Sequence, residues 1–374
     1  MIAEPTTRIQ TPRDLLSIIP LALGYQPTES LLVICIRKSA SLGLVVRVSY
    51  SDIQCLGAAS NFAEMVAKNA IADDAGHAFI VCYTKSLGVP RLQQLKNISQ
   101  VFQRQLAAQQ ITAETWLIDD DGFRHLDCEL TECCPPAGFP LSELENTVPR
   151  ATLVYRGYSA AASRTDYLSL AHTTETDRTI AQKAAKNFTA KRQVCQELSW
   201  RQEAFSAWLY LSELVRQNEP LPAEQLGIIG AGLTETAVRD AVLMWCIPGG
   251  LPLTGAILTE QAGALEMTRN LLEPIMTVRA ATRPNVELCR IATRILSSVA
   301  AHVAKPAMVA PLTLLAFLAW WVGDGTKANH RIAQALDIEP QYSLAQLLCR
   351  AQQQLVRPGW LQARVQQSAH ALAS

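Results

Sequence analysis

The sequence predicts two domains: an α/β N-terminal domain with a mixed sheet, followed by an all-α C-terminal domain containing a tetratricopeptide-like helical hairpin. Three observations predict this. Apolar runs of strand length alternate with helix-patterned stretches through the first third of the chain. A proline-rich stretch, 132–150 (ECCPPAGFPLSELENTVPR), interrupts the pattern, and only helical periodicity follows it. Within 311–342, Gly323 stands five residues before Ala328, Ala328 seven before Ala335, and Ala335 five before Pro340. Small residues at those points let two helices approach closely, the glycine frees the turn, and the proline stops the second helix. The expected domains are therefore 1–150 and 151–374.

The elements follow in order. Thr11, Pro12 and Asp14 form a helix start: a hydroxyl cap, proline at the first helical position and an acid in the first turn. Leu15, Leu16, Ile18 and Ile19 are its buried side, and Pro20 is expected to end or kink it. Residues 30–36 (SLLVICI) are continuously apolar, as in a strand covered on both faces. Residues 42–50 (LGLVVRVSY) are its hairpin partner across 38–41. A helix over 55–72, a strand over 77–83, a helix over 90–109, and strands at 112–119 and 123–128 complete a β-β-α-β-α-β-β order. Asp121-Gly122 is expected to supply the positive dihedrals of the last turn. The helices of the second domain are punctuated by prolines and glycines. Such hairpin arrays need about three repeats to stand alone, so the single clear match is one hairpin inside a helical domain.

Composition excludes several classes. A chain of 374 residues is too long for one comfortable core, and 49% hydrophobic content is ample for globular folding. The 33 basic and 33 acidic residues balance, so no excess charge drives nucleic-acid binding. The N-terminal MIAEPTTRIQTPRD lacks an apolar signal core, which gives a cytoplasmic expectation. The ten cysteines lie mostly in apolar runs (Cys35, Cys82, Cys246) and are expected to be buried thiols. Residues 307–322 are uncharged for sixteen positions, short of the roughly 20 of a membrane span. The run contains Pro311, and a buried helix is expected there, with no membrane contact.

Three stretches carry a resemblance: DLLSIIPLALGYQPTESLLVI (14–34), the CCPPAGFP segment, and LLAFLAWWVGDGTKANHRIAQALDIEPQYSLAQLL (314–348). Together they resemble the bacterial domain-of-unknown-function 4192 family. The third is the most specific, through Gly323, Asp324, Gly325, Ala328, Asn329, Pro340 and Tyr342. The resemblance implies no reaction, cofactor or partner, and it carries no catalytic residue to this chain.

Candidate chemistry is sparse. In 228–234 (IIGAGLT), Gly230 and Gly232 imitate a dinucleotide fingerprint, but Glu235 stands where the third glycine belongs, and Pro220 and Pro222 leave hardly any preceding strand. A loop between helices is the expectation. His125, Cys128, Cys133 and Cys134 are the candidate metal ligands, yet their spacing is not a zinc knuckle, and His125 and Cys128 would point to opposite faces of a strand. No metal and no cofactor is expected. Asp119, Asp120 and Asp121 read as turn residues before a cation loop, and Asp324 as a helix cap before a ligand contact. Arg178, Lys183, Lys186, Lys191, Arg192 and Arg201 give one helical region a basic bias, expected as a solvated face; the neighbouring Trp200, Phe205, Trp208 and Tyr210 read as core. There is no G-x-S-x-G elbow and no recognisable triad.

The expected function is a non-enzymatic protein-interaction or adaptor role, with a protein partner. The alternative is an enzyme or small-molecule binder whose site lies between the domains at the strand ends, near Arg37, Tyr50, Tyr83 and Thr84. Nucleic-acid binding through the basic helices comes third, nucleic acid being an unlikely partner.

Overall fold

Helix α1 (Pro12–Leu23) begins where its caps require. Thr11 Oγ1 accepts from the Asp14 amide at 3.2 Å, and Asp14 Oδ2 accepts from the Thr11 amide at 3.1 Å. Pro20 does not end the helix, which runs on to Gly24 at φ 80°. The structure, a computed structural model, describes residues 9–85, 88–128, 134–135, 138–277 and 281–362. It divides into two units, one running to Tyr167 and one starting at Leu168.

The first unit continues through β1 (Ser30–Arg37), β2 (Leu42–Ser49), a short 3₁₀ turn (Tyr50–Ile53), α2 (Leu56–Ala72), β3 (Ala75–Tyr83), α3 (Val89–Ala107), β4 (Thr112–Ile118) and β5 (Phe123–His125). Then come α4 (Ser142–Glu145), α5 (Val148–Tyr155) and α6 (Arg164–Leu168). The sheet order is β2-β1-β3-β4-β5. It is mixed: β1 runs antiparallel to both β2 and β3, β3 and β4 are parallel, and β5 is antiparallel to β4. As its apolar run requires, β1 is buried on both faces. Leu31, Val33 and Cys35 pack with α2 and α3, while Leu32 and Ile34 pack with α1. Alanines at 59, 63, 67 and 70 line the buried face of α2, where small side chains let it sit close to the sheet and to α3.

The second unit is helical: α7 (Glu175–Lys191), α8 (Glu197–Arg216), α9 (Ala223–Gly232), α10 (Thr236–Cys246), α11 (Thr254–Leu258), α12 (Ala264–Met276), α13 (Val286–His302), α14 (Lys305–Val322), α15 (Gly325–Ile338) and α16 (Ser343–Gln353). The apolar helix α14 is its centre. Residues 309–321 are buried without interruption, so the helix is apolar on all sides because it is surrounded by protein. Trp200, Trp208 and Trp321 are fully buried in the same core. The indole N–H groups find acceptors where they can: Trp200 Nε1 donates to the Phe188 carbonyl at 2.8 Å. Helices α14 and α15 form a close hairpin. Gly323 turns the chain at φ 94°, and Ala328 and Ala335 are fully buried where the two helices meet.

Candidate functional site

The reversed direction of β1 decides which residues meet at each end of the sheet. Ser30 lies beside Ser49 on one side and Tyr83 on the other, and Tyr83 lies beside Ile118. One sheet edge therefore gathers the amino end of β1 with the carboxyl ends of β2, β3 and β4. This is where open α/β sheets hold ligands. Tyr50 and Thr84 lie there as expected. Arg37 does not: it closes β1 at the opposite edge, where its Nη2 meets the buried Asp73 carboxylate at 3.0 Å. Periodicity marks a strand without giving its direction, and that is why the expectation for Arg37 fails.

At the first edge lies a solvent-open cleft of ≈ 440 Å³, lined among others by Thr28, Glu29, Arg47, Ser49, Tyr50 and Arg91. Glu29 organises it. One carboxylate oxygen accepts from Thr84 Oγ1 and from the Lys85 amide, both at 2.9 Å, and the other meets Arg91 at 2.5 Å. These bonds hold a non-glycine residue at φ 43°, in the left-handed region that costs of order 1–3 kcal/mol. Burial pulls the Glu29 pKa upward, but the Lys85 amide, Thr84 and Arg91 together outweigh it and keep the carboxyl below its ordinary value. Arg91 lies 4.4 Å above the Tyr50 ring and donates to Gln94 at 2.8 Å.

Arg47 differs from Arg91. It sits on edge strand β2, where its Nη1 donates to Ser49 Oγ at 2.6 Å, and no carboxylate among the described residues comes within ion-pair distance of it. Burial depresses its pKa, and the charge of Arg164 adds to that effect. Beneath the cleft, burial pushes the Cys82 thiol up to about 12 and the Tyr50 hydroxyl well above its usual range. Both groups are held in their neutral forms. The lining thus presents two guanidiniums, one carboxylate and several hydroxyls to the cleft.

The other sequence candidates fall elsewhere. His125 and His77 approach opposite oxygens of Glu114, at 3.6 and 3.7 Å, so they bracket the carboxylate and do not converge on one point. Cys128 and Cys134 are half-buried, and Cys133 lies outside the described residues. Among the described residues no group of three or more His, Cys, Asp or Glu side chains is placed to hold a metal ion. Asp119 closes the β4–β5 turn by accepting from the Asp121 and Gly122 amides at 3.0 and 2.9 Å and pairing with Arg124. Neither Asp121 nor Gly122 takes a positive φ, so a side chain sets this turn where a backbone conformation was expected.

Gly230 and Gly232 lie inside α9 with Gly227. A Cβ on Gly227 would collide with the Ala181 carbonyl, and one on Gly230 with Val303. These glycines serve close helix packing. Asp324 caps α15, its Oδ1 accepting from the Lys327 amide at 2.9 Å; Gly325 opens that helix, Asn329 is exposed on it, and Tyr342 meets Arg239 at 3.1 Å. Of the basic residues, Arg178, Lys191, Arg192 and Arg201 all pair with glutamates, Arg201 with Glu197, Glu235 and Glu260 together. Trp200, Phe205 and Trp208 are core residues, and Tyr210 is exposed.

A family model described as "Domain of unknown function (DUF4192)" matches residues 12–359. The chain belongs to this family. No curated protein and no solved structure matches it. In this DUF4192 chain the cleft residues Glu29, Arg47 and Arg91 escape sequence reading. Two signals were present. Arg47 is a charge set inside the apolar run LGLVVRVSY, and the first turn of α3 carries Arg91 and no acid. Glu29 has no comparable signal, because its partners stand 55 to 62 positions away.

Proposed function

We propose that the α/β unit of this DUF4192 protein is a small-molecule-binding module whose site is the cleft at the β1–β2 edge. The observation that carries this reading is Glu29. A strained backbone is fixed by three partners from two other segments, at a place where charged and hydroxyl groups face solvent. Strain of that kind persists where surrounding structure over-determines it, and such places cluster at ligand sites. The test is a ligand-observed NMR screen of the full chain against a panel of small polar metabolites, repeated on a cleft-filling Ser51→Trp variant. Compounds that bind the natural chain and are lost in the variant support the reading. If every binder survives Ser51→Trp, the cleft is not the site.

A second reading, the protein-interaction or adaptor role, is favoured by one surface. Helix α5 exposes Val148, Ala151 and Tyr155 at i, i+3 and i+7, with Tyr155 93% exposed. Apolar groups at that spacing are what a helix presents to a protein groove. The tetratricopeptide-like character of the α14–α15 hairpin belongs to the same reading. A partner retained by the natural chain and lost in a Val148→Glu, Tyr155→Glu double variant supports it; equal retention by both rejects it.

A further inference from the structure

Three charged side chains line the cleft, Glu29, Arg47 and Arg91, and two of them are closed on each other. Arg91 meets Glu29, donates to Gln94 and lies over the Tyr50 ring. The other Glu29 oxygen is held by Thr84 and the Lys85 amide. That pair is satisfied within the protein. Arg47 is the lining charge left over.

The backbone fixes where this charge stands. Arg47 and Ser49 are two apart on β2, so their side chains share one face of the strand. Ser49 lies beside Ser30, and the Tyr50 amide donates to the Glu29 carbonyl at 3.2 Å. Thr28 and Glu29 are thereby tied against the end of β2, next to Ser49. Arg47 Nη1 donates to Ser49 Oγ at 2.6 Å, and this is the one hydrogen bond its guanidinium makes among the described residues. Its Nε is buried without a partner. Arg37 and Arg201 also leave Nε unmet, yet their terminal nitrogens reach carboxylates. Asp52, beside the lining Ser51, is exposed, accepts from that serine at 3.1 Å and stays beyond ion-pair distance of Arg47.

The charge count selects the ligand. One guanidinium without a counter-charge is balanced by one negative charge. A carboxylate supplies that charge, and its two oxygens match the planar fork of an arginine. A phosphate monoester carries about −1.5 to −2 at neutral pH, and its surplus would face the Glu29 carboxylate across the same cleft. We propose that the ligand of this cleft is a small monocarboxylic acid, its carboxylate held by Arg47. Ser49 positions the guanidinium, and Thr28, Ser51 and Gln54 offer hydrogen bonds to the rest of the molecule. The proposal rests on the cleft being a ligand site, as argued above.

The test titrates the full chain, labelled with carbon-13 in arginine, with acetate, lactate and glycerate. Uncharged acetamide, lactamide and glycerol, and doubly charged glycerol phosphate, are titrated beside them. Saturating NMR shifts give the affinities, for the natural sequence and for Arg47→Gln, Arg47→Lys and Ser51→Trp. At least one carboxylate should bind saturably, shift the Arg47 resonances, and bind more tightly than its uncharged counterpart and than glycerol phosphate. Losing one charge-assisted contact should weaken it roughly tenfold to a hundredfold in Arg47→Gln. Arg47→Lys, which keeps the charge without the fork, should fall between. Should Arg47→Gln fail to fold, the Arg47 resonances of the natural chain decide: a bound carboxylate that leaves them unmoved would overturn the proposal. Carboxylate binding unchanged in Arg47→Gln would also overturn it, as would glycerol phosphate binding as tightly as glycerate. Binding of uncharged compounds alone, lost in Ser51→Trp but kept in Arg47→Gln, would overturn it and leave the cleft reading standing. No saturable binding of any probe would overturn the carboxylate assignment, and the cleft reading would then stand or fall by its own metabolite screen.

Discussion

Glu29 ties the start of β1 to the end of β3 and the start of α3 through one carboxylate. Its pKa lies below the ordinary value of 4.5, so the native state favours the ionised form. The stabilisation is therefore present above pH 4.5 and disappears as pH falls through the lower native value. Glu29→Gln should lower Tm at pH 7, and the gap to the natural chain should narrow on acidification. A gap that stays constant from neutral to strongly acidic pH would show that charge is not what Glu29 contributes. Asp324 contributes more locally. Asp324→Ala should destabilise by about 1 kcal/mol in chemical denaturation, and Asp324→Asn by much less, because asparagine still caps. Equal losses would remove the capping account. These two acids also mark how far a residue's role can be read from sequence. Asp324 stands directly before the helix that it caps, as Thr11 does, so both caps were legible. The partners of Glu29 arrive from distant segments, and no local pattern announces them.

Elements were legible where periodicity and length agree. Both strands of the first hairpin, the helices between strands and the long apolar α14 stand where apolar spacing put them. Strand polarity and the chemistry of the last turn were not legible, since neither leaves a trace in spacing. Helix α9 shows a further limit: its Gly-x-Gly resembles a phosphate loop in text, but the backbone of α7 occupies the space beside Gly227. Two effects of opposite sign meet there. Alanine raises helix propensity over glycine by roughly 0.8–1 kcal/mol. A methyl group driven into a carbonyl costs typically 1–3 kcal/mol. Gly227→Ala should therefore be destabilising overall in urea denaturation, whereas Gly255→Ala in α11, where a Cβ meets nothing within 4 Å, should be neutral or stabilising. A stabilised Gly227→Ala would mean that α7 and α9 can part without cost.

At the scale of the whole molecule, two kinds of interior are present. The first unit buries its apolar side chains on both faces of one sheet, and the second around α14. Each unit holds a core of its own, with its own fully buried aromatics: Tyr25, Phe102 and Phe123 in the first, and Trp200, Trp208 and Trp321 in the second. A fragment of residues 9–167 should accordingly fold alone, with a cooperative thermal transition by circular dichroism and dispersed amide resonances. A fragment lacking both would show that its core is insufficient by itself. The guanidinium of Arg91 lies over the face of Tyr50, and an aromatic ring shields protons held above it. The Arg91 side-chain resonances should therefore be displaced upfield in the empty protein. Any occupant that shifts that stack would announce itself in the spectrum of carbon-labelled arginine, so the cleft contains its own occupancy probe and needs no attached dye.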